Sequence, residues 1–297
     1  MELHLSQVFQ KSNECQKPSN MLDKCEIFAE SLDHAECVVA HPDGSIWAGG
    51  EAGQIYRIPP EGGKVDLVAE TDGFILGLAF SPGAEWLAIC DLQNKCVWRL
   101  DLDSMAMKLF AKGVAEHDFN IPNYPVFDAM GNLYVSESGE FRSVNGKILK
   151  FDVLGNGHVW HAGPFNFANG LAIYDSYLYV VSSFMPGVER IKIENSGSPG
   201  EREVFCTLPE TVPDGIAFDS EGSLYVSCYA PNRIYKILQD RTCSVLVNDW
   251  EAHMLSNPTN IAFGGDNFDQ LFTSNLGRWH ITKIDIGTKG EPLVSHI

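Results

Sequence analysis

Residues 212–227 read VPDGIAFDSEGSLYVS, and this stretch decides the fold. An apolar run, a glycine turn and a second run of aromatic and β-branched residues together make a hairpin signature. The arrangement recurs in ECVVAHPDG (36–44), LGLAFSPG (76–83), NYPVFDAMG (123–131), NGLAIYDS (169–176) and TNIAFGGD (259–266). Taking Glu36, Leu76, Asn123, Asn169, Asp214 and Thr259 as equivalent points gives spacings of 40, 47, 46, 45 and 45 residues. A period of that size signals a stacked or radial repeat. In three copies a turn glycine, Gly44, Gly131 or Gly222, follows the marked residue by eight positions.

Two further runs complete each unit. A third strand is signalled by QIYRI, CVWRL, KILKF, VERIKI, RIYKI and ITKID, and a fourth short run precedes each marked residue, as in DLVAE (66–70) and EVFCT (203–207). Four short strands per unit, six units and no amphipathic helix predict an all-β fold, a six-bladed β-propeller with four-stranded blades. The period fills residues 26–297 without a gap and predicts a single propeller domain, with residues 1–25 as a lead-in. The run EIFAE (26–30) has the shape of an outer strand without its own blade. It is expected to pair with the last blade and close the ring, with the tail EPLVSHI (291–297) as the competitor for that edge.

With 39 acidic against 21 basic residues, the formal net charge of −18 argues against a nucleic acid or an anionic membrane as partner. No run of 18 apolar residues is present, and the opening MELHLSQVFQKSNECQ lacks the apolar core of a secretory signal. The eight cysteines lie far apart without CxxC or zinc spacing, so reduced, mostly buried thiols in a cytoplasmic protein are expected; Cys90 and Cys96 fall on neighbouring strands. No GxSxG, Walker loop or dinucleotide fingerprint occurs.

The first strand of each propeller blade lines the central channel, so Glu36, Asn123, Asn169 and Asp214 are expected to converge on one ring. Two carboxylates and two amide oxygens suit a hard divalent ion, Ca²⁺ first, with Mg²⁺, Mn²⁺ or Zn²⁺ as alternatives. Zinc more often recruits His or Cys, and none aligns here. Asn-Gly and Asp-Gly are also turn dipeptides, which Asn169-Gly170 and Asp214-Gly215 could be. Glu36 and Asn123 have no glycine after them, and the hairpin turns already lie eight residues later. Leu76 and Thr259 hold the other two ring positions.

The succession AECVVAHPDGSIW, NYPVFDAMGNLYVSESG, NGLAIYDSYLYV, VPDGIAFDSEGSLYVS and NPTNIAFGGDNFDQLFTS resembles the gluconolactonase, regucalcin (senescence marker protein) and luciferin-regenerating-enzyme family over about residues 26–297. The resemblance implies a six-bladed propeller with one divalent ion in the channel, held here by Glu36, Asn123, Asn169 and Asp214. It also implies hydrolysis of a lactone or related ester. The ion would polarise the carbonyl, with Asp214 as the general base on water. A metal-bound hydroxide and direct attack by Asp214 are the competing routes.

Sugar-lactone members of that family typically carry an Arg two residues before the third-blade Asn. Ile121 stands there in this chain, followed by Pro122, and Tyr124 replaces a small acidic residue. Phe119, Phe141, Phe165, Phe167, Phe184, Met185, Tyr229 and Trp279 add apolar groups in neighbouring loops. The expected substrate is therefore less polar than an aldonolactone. Ile121, Tyr124, Glu137, Glu140, Phe184, Tyr229 and Trp279 are the candidate substrate contacts. Asp91 and Asn260 are undecided between channel and turn, and the histidines near loop ends, such as His34 and His253, read first as surface residues. Two alternatives stand beside the lactonase: a phosphotriester or fluorophosphate hydrolase on the same site, and a non-catalytic binding propeller.

Overall fold

The structure, a computed structural model, describes residues 20–297. Six four-stranded antiparallel sheets account for the repeat, five of them running in chain order from an inner to an outer strand. The inner strands are Cys37–Ala40, Ile75–Phe80, Pro122–Phe127, Ala168–Tyr174, Val212–Phe218 and Pro258–Gly264. Neighbouring inner strands pack side by side around one axis, and the sixth packs on the first. Blade six is completed by Cys25–Glu30, which pairs with His280–Asp285. The N-terminal strand therefore closes the ring. The competing C-terminal tail runs beneath the channel instead and ends in a 3-10 turn, Val294–His296. Of the expected lead-in, residues 1–19 lie outside the described residues, and Met21–Lys24 form a short 3-10 turn before the closing strand.

Alternating side chains explain the stability of this ring. Six apolar clusters fill the spaces between successive blades, for example Trp47, Ile75, Phe80 and Leu87 between blades one and two. Phe28 of the closing strand packs on Phe272 with ring centroids 4.8 Å apart, in the cluster that joins blade six to blade one. The turn glycines sit where the repeat placed them: Gly131 and Gly222 both have φ +81°. Asp128 and Asp219 open those turns by accepting backbone N–H groups of the turn in Asx fashion. A short hairpin of Gly113–Val114 with His117–Asp118, not signalled by the repeat, leads into blade three.

One irregularity positions the channel. In blades two to six the inner strand bulges at the marked residue: Pro122 opposes Glu137 while Pro125 opposes Val135, so three steps on one strand match two on its partner. Blades two, four, five and six bulge at the same place. An extra residue of this kind re-aims the side chains that follow it. Hydroxyls of the second strand bond the bulged backbone: Tyr124 N–H donates to Ser136 Oγ at 2.9 Å and Gly215 N–H to Ser227 Oγ at 3.1 Å. Gly170 and Gly215 complete the arrangement, because a Cβ there would stand 2.4 Å from Asp214 O and 2.6 Å from Asn260 Cα of the next blade.

Candidate active site

The ring residues lie at the start of the inner strands, and a relay of hydroxyls fixes their orientation. Asn123 Nδ2 donates to Ser138 Oγ (3.0 Å), and Ser138 Oγ donates to Ala168 O of blade four (2.6 Å). Asn169 Nδ2 likewise donates to Ser183 Oγ (3.3 Å), and Ser183 Oγ donates to Pro213 O of blade five (2.8 Å). Each serine has given its only proton to a carbonyl, so toward the amide it can act only as acceptor. That requirement assigns the NH₂ side of both amides to the serines and leaves both Oδ1 atoms free on the other side. Thr259 Oγ1 and Ser274 Oγ both donate to Glu36 O, at 2.7 and 3.0 Å, and so tie blade six to blade one.

Two carboxylates share this level. Asp214 is 8% exposed; burial pushes its pKa from 3.8 to about 8, and the Asn169 side chain against it opposes the rise. Burial also drives Glu36 well above the carboxylate range, and the charge of Asp214 adds to the effect, while Thr259 opposes it. Glu36 Oε2 is fully shielded and has no hydrogen-bond partner. Two buried like charges are expensive unless a cation joins them. No group of three His, Cys, Asp or Glu side chains that could hold a metal ion occurs among the described residues, so any cation here would depend on the Asn oxygens. The donor set fits one: two carboxylates, one with an orphaned oxygen, and two amides whose oxygens are left free.

The remaining candidates divide between loop support, channel floor and mouth. Glu137 is buried, and its oxygens accept the N–H groups of Asn120, Ile121 and Gly139 at 3.0–3.3 Å, which fixes the loop that carries Ile121. Asp91 does the equivalent in blade two, accepting from Phe74 N–H and Trp98 Nε1. Glu140 is exposed and accepts from Ser143 Oγ at 3.4 Å. Tyr124 lines a cavity below the ring, and its hydroxyl faces the Asn260 amide of blade six, across the axis. Asn260 Oδ1 is buried without a hydrogen-bond partner.

At the mouth, Phe141, Phe167 and Phe184 form a triad with centroids 5.2–5.9 Å apart, and Phe141 is 66% exposed. Arg142 lies over Phe141 and Phe184 at 5.5 and 5.7 Å. Phe167 and Arg142 both hold left-handed backbone, φ 63° and 60°, an uncommon conformation for bulky residues. The triad borders the ring through Phe167, two residues before Asn169, and Phe184, next to Ser183. Tyr229 and Trp279 are exposed, with Trp279 edge-on to His34 at 5.3 Å. Phe119 and Phe165 do not reach the mouth. They are buried in the clusters between blades two and three and between three and four, where a large apolar ring gains most.

The sequence reading missed Ser138, Ser183, Ser274 and Arg142. The two serines that hold the Asn amides were visible in principle, as the last residues of the NLYVSES and LYVVSS strands.

The family described as SMP-30/Gluconolactonase/LRE-like region matches residues 104–276, more than half of the chain. The chain belongs to that family. Among solved structures, this family member superposes on a gluconolactonase of Xanthomonas campestris with TM-score 0.75 at 16% identity, covering 88% of this chain and 89% of that one. A luciferin-regenerating enzyme gives 0.74 at 19% identity, with 89% and 95% covered. A calcium-binding protein, regucalcin, of Agrobacterium tumefaciens gives 0.73 at 16% identity, with 90% and 97% covered. At such identities these likenesses speak for the fold. An uncharacterized protein of Sulfolobus acidocaldarius is 33% identical over 101 residues, a match that spans 33% of this chain and 36% of that relative.

Proposed function

We propose that the chain is a metal-dependent hydrolase that opens a lactone, or cleaves a related ester, less polar than a sugar lactone. Family membership motivates the reaction class. One observation carries the site: the serine relay that turns Asn123 Oδ1 and Asn169 Oδ1 away from their hydrogen-bond partners, at the level of Glu36 and Asp214. Glu36, Asn123, Asn169 and Asp214 would hold one divalent ion, Ca²⁺ by preference for a set of hard oxygens. When bound, that ion supplies positive charge for the carbonyl oxygen as negative charge develops on it.

The chain's own residues do the rest. Asp214 is the proposed general base, taking a proton from water as the water oxygen bonds to the acyl carbon. The ring C–O bond then breaks, and the proton passes to the departing alkoxide, giving a hydroxy acid. Burial alone would leave Asp214 protonated near neutral pH, and a cation held by Glu36, Asn123, Asn169 and Asp214 would supply the positive charge that keeps it ionised. Phe141, Phe167 and Phe184 offer the apolar part of the substrate a surface beside Asn169, and Ile121 keeps the blade-three approach free of charge. Arg142 lies over two of these rings with its guanidinium directed to no carboxylate among the described residues. Tyr229 and Trp279 extend the apolar rim. Glu137 acts as support for the Ile121 loop.

The test is a panel of sugar, alkyl and aryl lactones with ethyl and phenyl esters, assayed with calcium-loaded and chelator-treated protein, with Asp214→Asn alongside. Alkyl or aryl lactones should be opened by loaded protein, more slowly for sugar lactones, and not at all after chelation or in the variant. Turnover that survives chelation, or an inert panel, would overturn the reading. Cleavage of a phosphotriester in preference to every lactone would reassign the same site to phosphorus.

A further inference from the structure

Below the ring the same six strands enclose a different environment. Three residues beyond each marked position stand Val39, Ala79, Val126, Ala172, Ala217 and Ala262, all lining one cavity of about 220 Å³. Flanking residues such as Leu171, Ile216, Phe218 and Phe263 are buried in the clusters between blades and reach the same cavity, whereas Ala79, Ala172 and Ala217 keep partial exposure. Small side chains at four of six axial positions leave space that a protein interior normally fills.

The cavity has a roof and a floor. The Tyr124 ring lies under the metal-site level, with its hydroxyl at the Asn260 amide on the opposite blade. From below, the C-terminal segment crosses the channel. Its Glu291 N–H donates to Phe218 O of blade five (2.9 Å), Pro292, Leu293 and Val294 line the void, and the turn Val294–His296 packs on Pro82–Ala84 of blade two. Among the described residues only Asp128 and Glu291 bring charge to this wall, both at its lower edge.

We propose that this cavity is a second ligand site, distinct from the ring, that takes an uncharged apolar molecule of roughly ten to twelve non-hydrogen atoms. An apolar cavity of about 150 Å³ stays dry and admits a benzene-sized guest. The present one is larger by about half, which suits a bicyclic guest. The wall offers aliphatic and aromatic contacts from every blade and almost no hydrogen-bonding group, so charged and sugar-like molecules are rejected. The C-terminal segment forms the lower wall and provides the route of entry, being held there by few backbone bonds.

The experiment uses the full chain and four probes: benzene, indole, naphthalene and 2-naphthoate. Indole and naphthalene should bind with dissociation constants below about 1 mM by ligand-observed NMR and raise the melting temperature; 2-naphthoate should not. Ala172→Phe and Ala217→Phe fill the cavity and should weaken both probes at least tenfold, with circular dichroism and calcium affinity retained. Ala79→Leu serves where a Phe variant does not fold. The double variant Phe141→Ala/Phe184→Ala should leave probe binding unchanged. Failure of both bicyclic probes to bind, binding that survives the filling variants, or loss of binding in the Phe141/Phe184 variant would each overturn the proposal. None of these outcomes depends on lactone turnover, so the second site and the proposed reaction stand or fall separately.

Discussion

Replacing Asp214 by Asn should make the calcium-free protein more stable at neutral and mildly basic pH, although it removes a proposed metal ligand. Burial raises the Asp214 pKa from 3.8 to about 8. A carboxylate whose pKa is raised on folding contributes stability that is present below its unfolded pKa and lost as pH climbs through the folded one. The window here runs from about pH 4 to about pH 8. Each pH unit inside it removes about 1.4 kcal/mol. Between pH 5 and pH 8 the loss from this one group comes to about 3 to 4 kcal/mol, once partial titration at both ends is included. At roughly 2 °C per kcal/mol for a chain of this size, the melting temperature should fall by about 7 °C. Glu36, raised by burial and by the charge of Asp214, moves in the same direction.

The assay is calorimetric or fluorimetric melting in chelator from pH 5 to pH 8, repeated with saturating Ca²⁺. Chelated wild type should lose stability across the range, and Ca²⁺ should restore it most at pH 8, where protons compete least for the ligands. Asp214→Asn should flatten the chelated profile and lie above wild type at pH 8, with no response to Ca²⁺. The difference between the two profiles removes the titrating groups that do not interact with Asp214 and retains Asp214 together with the part of the Glu36 shift that its charge causes. A chelated variant that loses as much as wild type between pH 5 and pH 8, or that is the less stable at pH 8, would refute the account of a strained carboxylate pair.

Ser183→Ala and Ser138→Ala each delete the acceptor that holds an Asn amide, so the oxygen is no longer fixed toward the axis; calcium titration should show about a tenfold or greater loss of affinity, partly recovered by Ser→Thr. Phe184→Ala should raise KM for alkyl and aryl lactones about tenfold, with kcat changed by less than about threefold, because it removes binding surface and leaves the reacting groups in place. Glu137→Ala strips three backbone amides, one buried and two half-buried, of their acceptor, and urea unfolding should report a loss of about 1–3 kcal/mol, with calcium affinity within about threefold of wild type. Phe28→Ala in the closing strand should cost about 3–5 kcal/mol by the same measurement, since it opens the junction of blades six and one.

The repeat was legible because every blade solves the same problem with the same residues: an apolar inner strand, an Asx or glycine turn, and an aromatic second strand. The candidate ring followed from the same period, since equivalent residues of a radial repeat stand around one axis. What the linear pattern did not carry was orientation. Whether Asn123 and Asn169 present oxygen or nitrogen to the channel depends on Ser138 and Ser183, residues of another strand whose protons go to a neighbouring blade. Tyr124 and Phe119 illustrate the same gap. Both lie near Asn123 in sequence, yet the first faces Asn260 across the axis and the second is buried between blades two and three. Proximity along the chain says little where a bulge re-aims successive side chains.

That bulge also separates two chemistries within one set of strands. Past the bulge, Ala79, Ala172, Ala217 and Ala262 line the void together with Leu78, Leu171, Ile216 and Ile261. The upper level then has carboxylates and amides held by hydroxyls, and the lower level has methyl groups around a void. Tyr124 and Asn260, which follow ring residues on opposite blades, occupy the boundary. Polar and apolar binding can therefore be varied independently: the upper set depends on hydrogen bonds from the second strands, and the lower set only on side-chain volume. A cavity-filling substitution such as Ala217→Phe should for that reason leave calcium affinity unchanged, whereas Ser183→Ala should lower it without altering the void. Coupled loss of both in either variant would show that the two levels are one site.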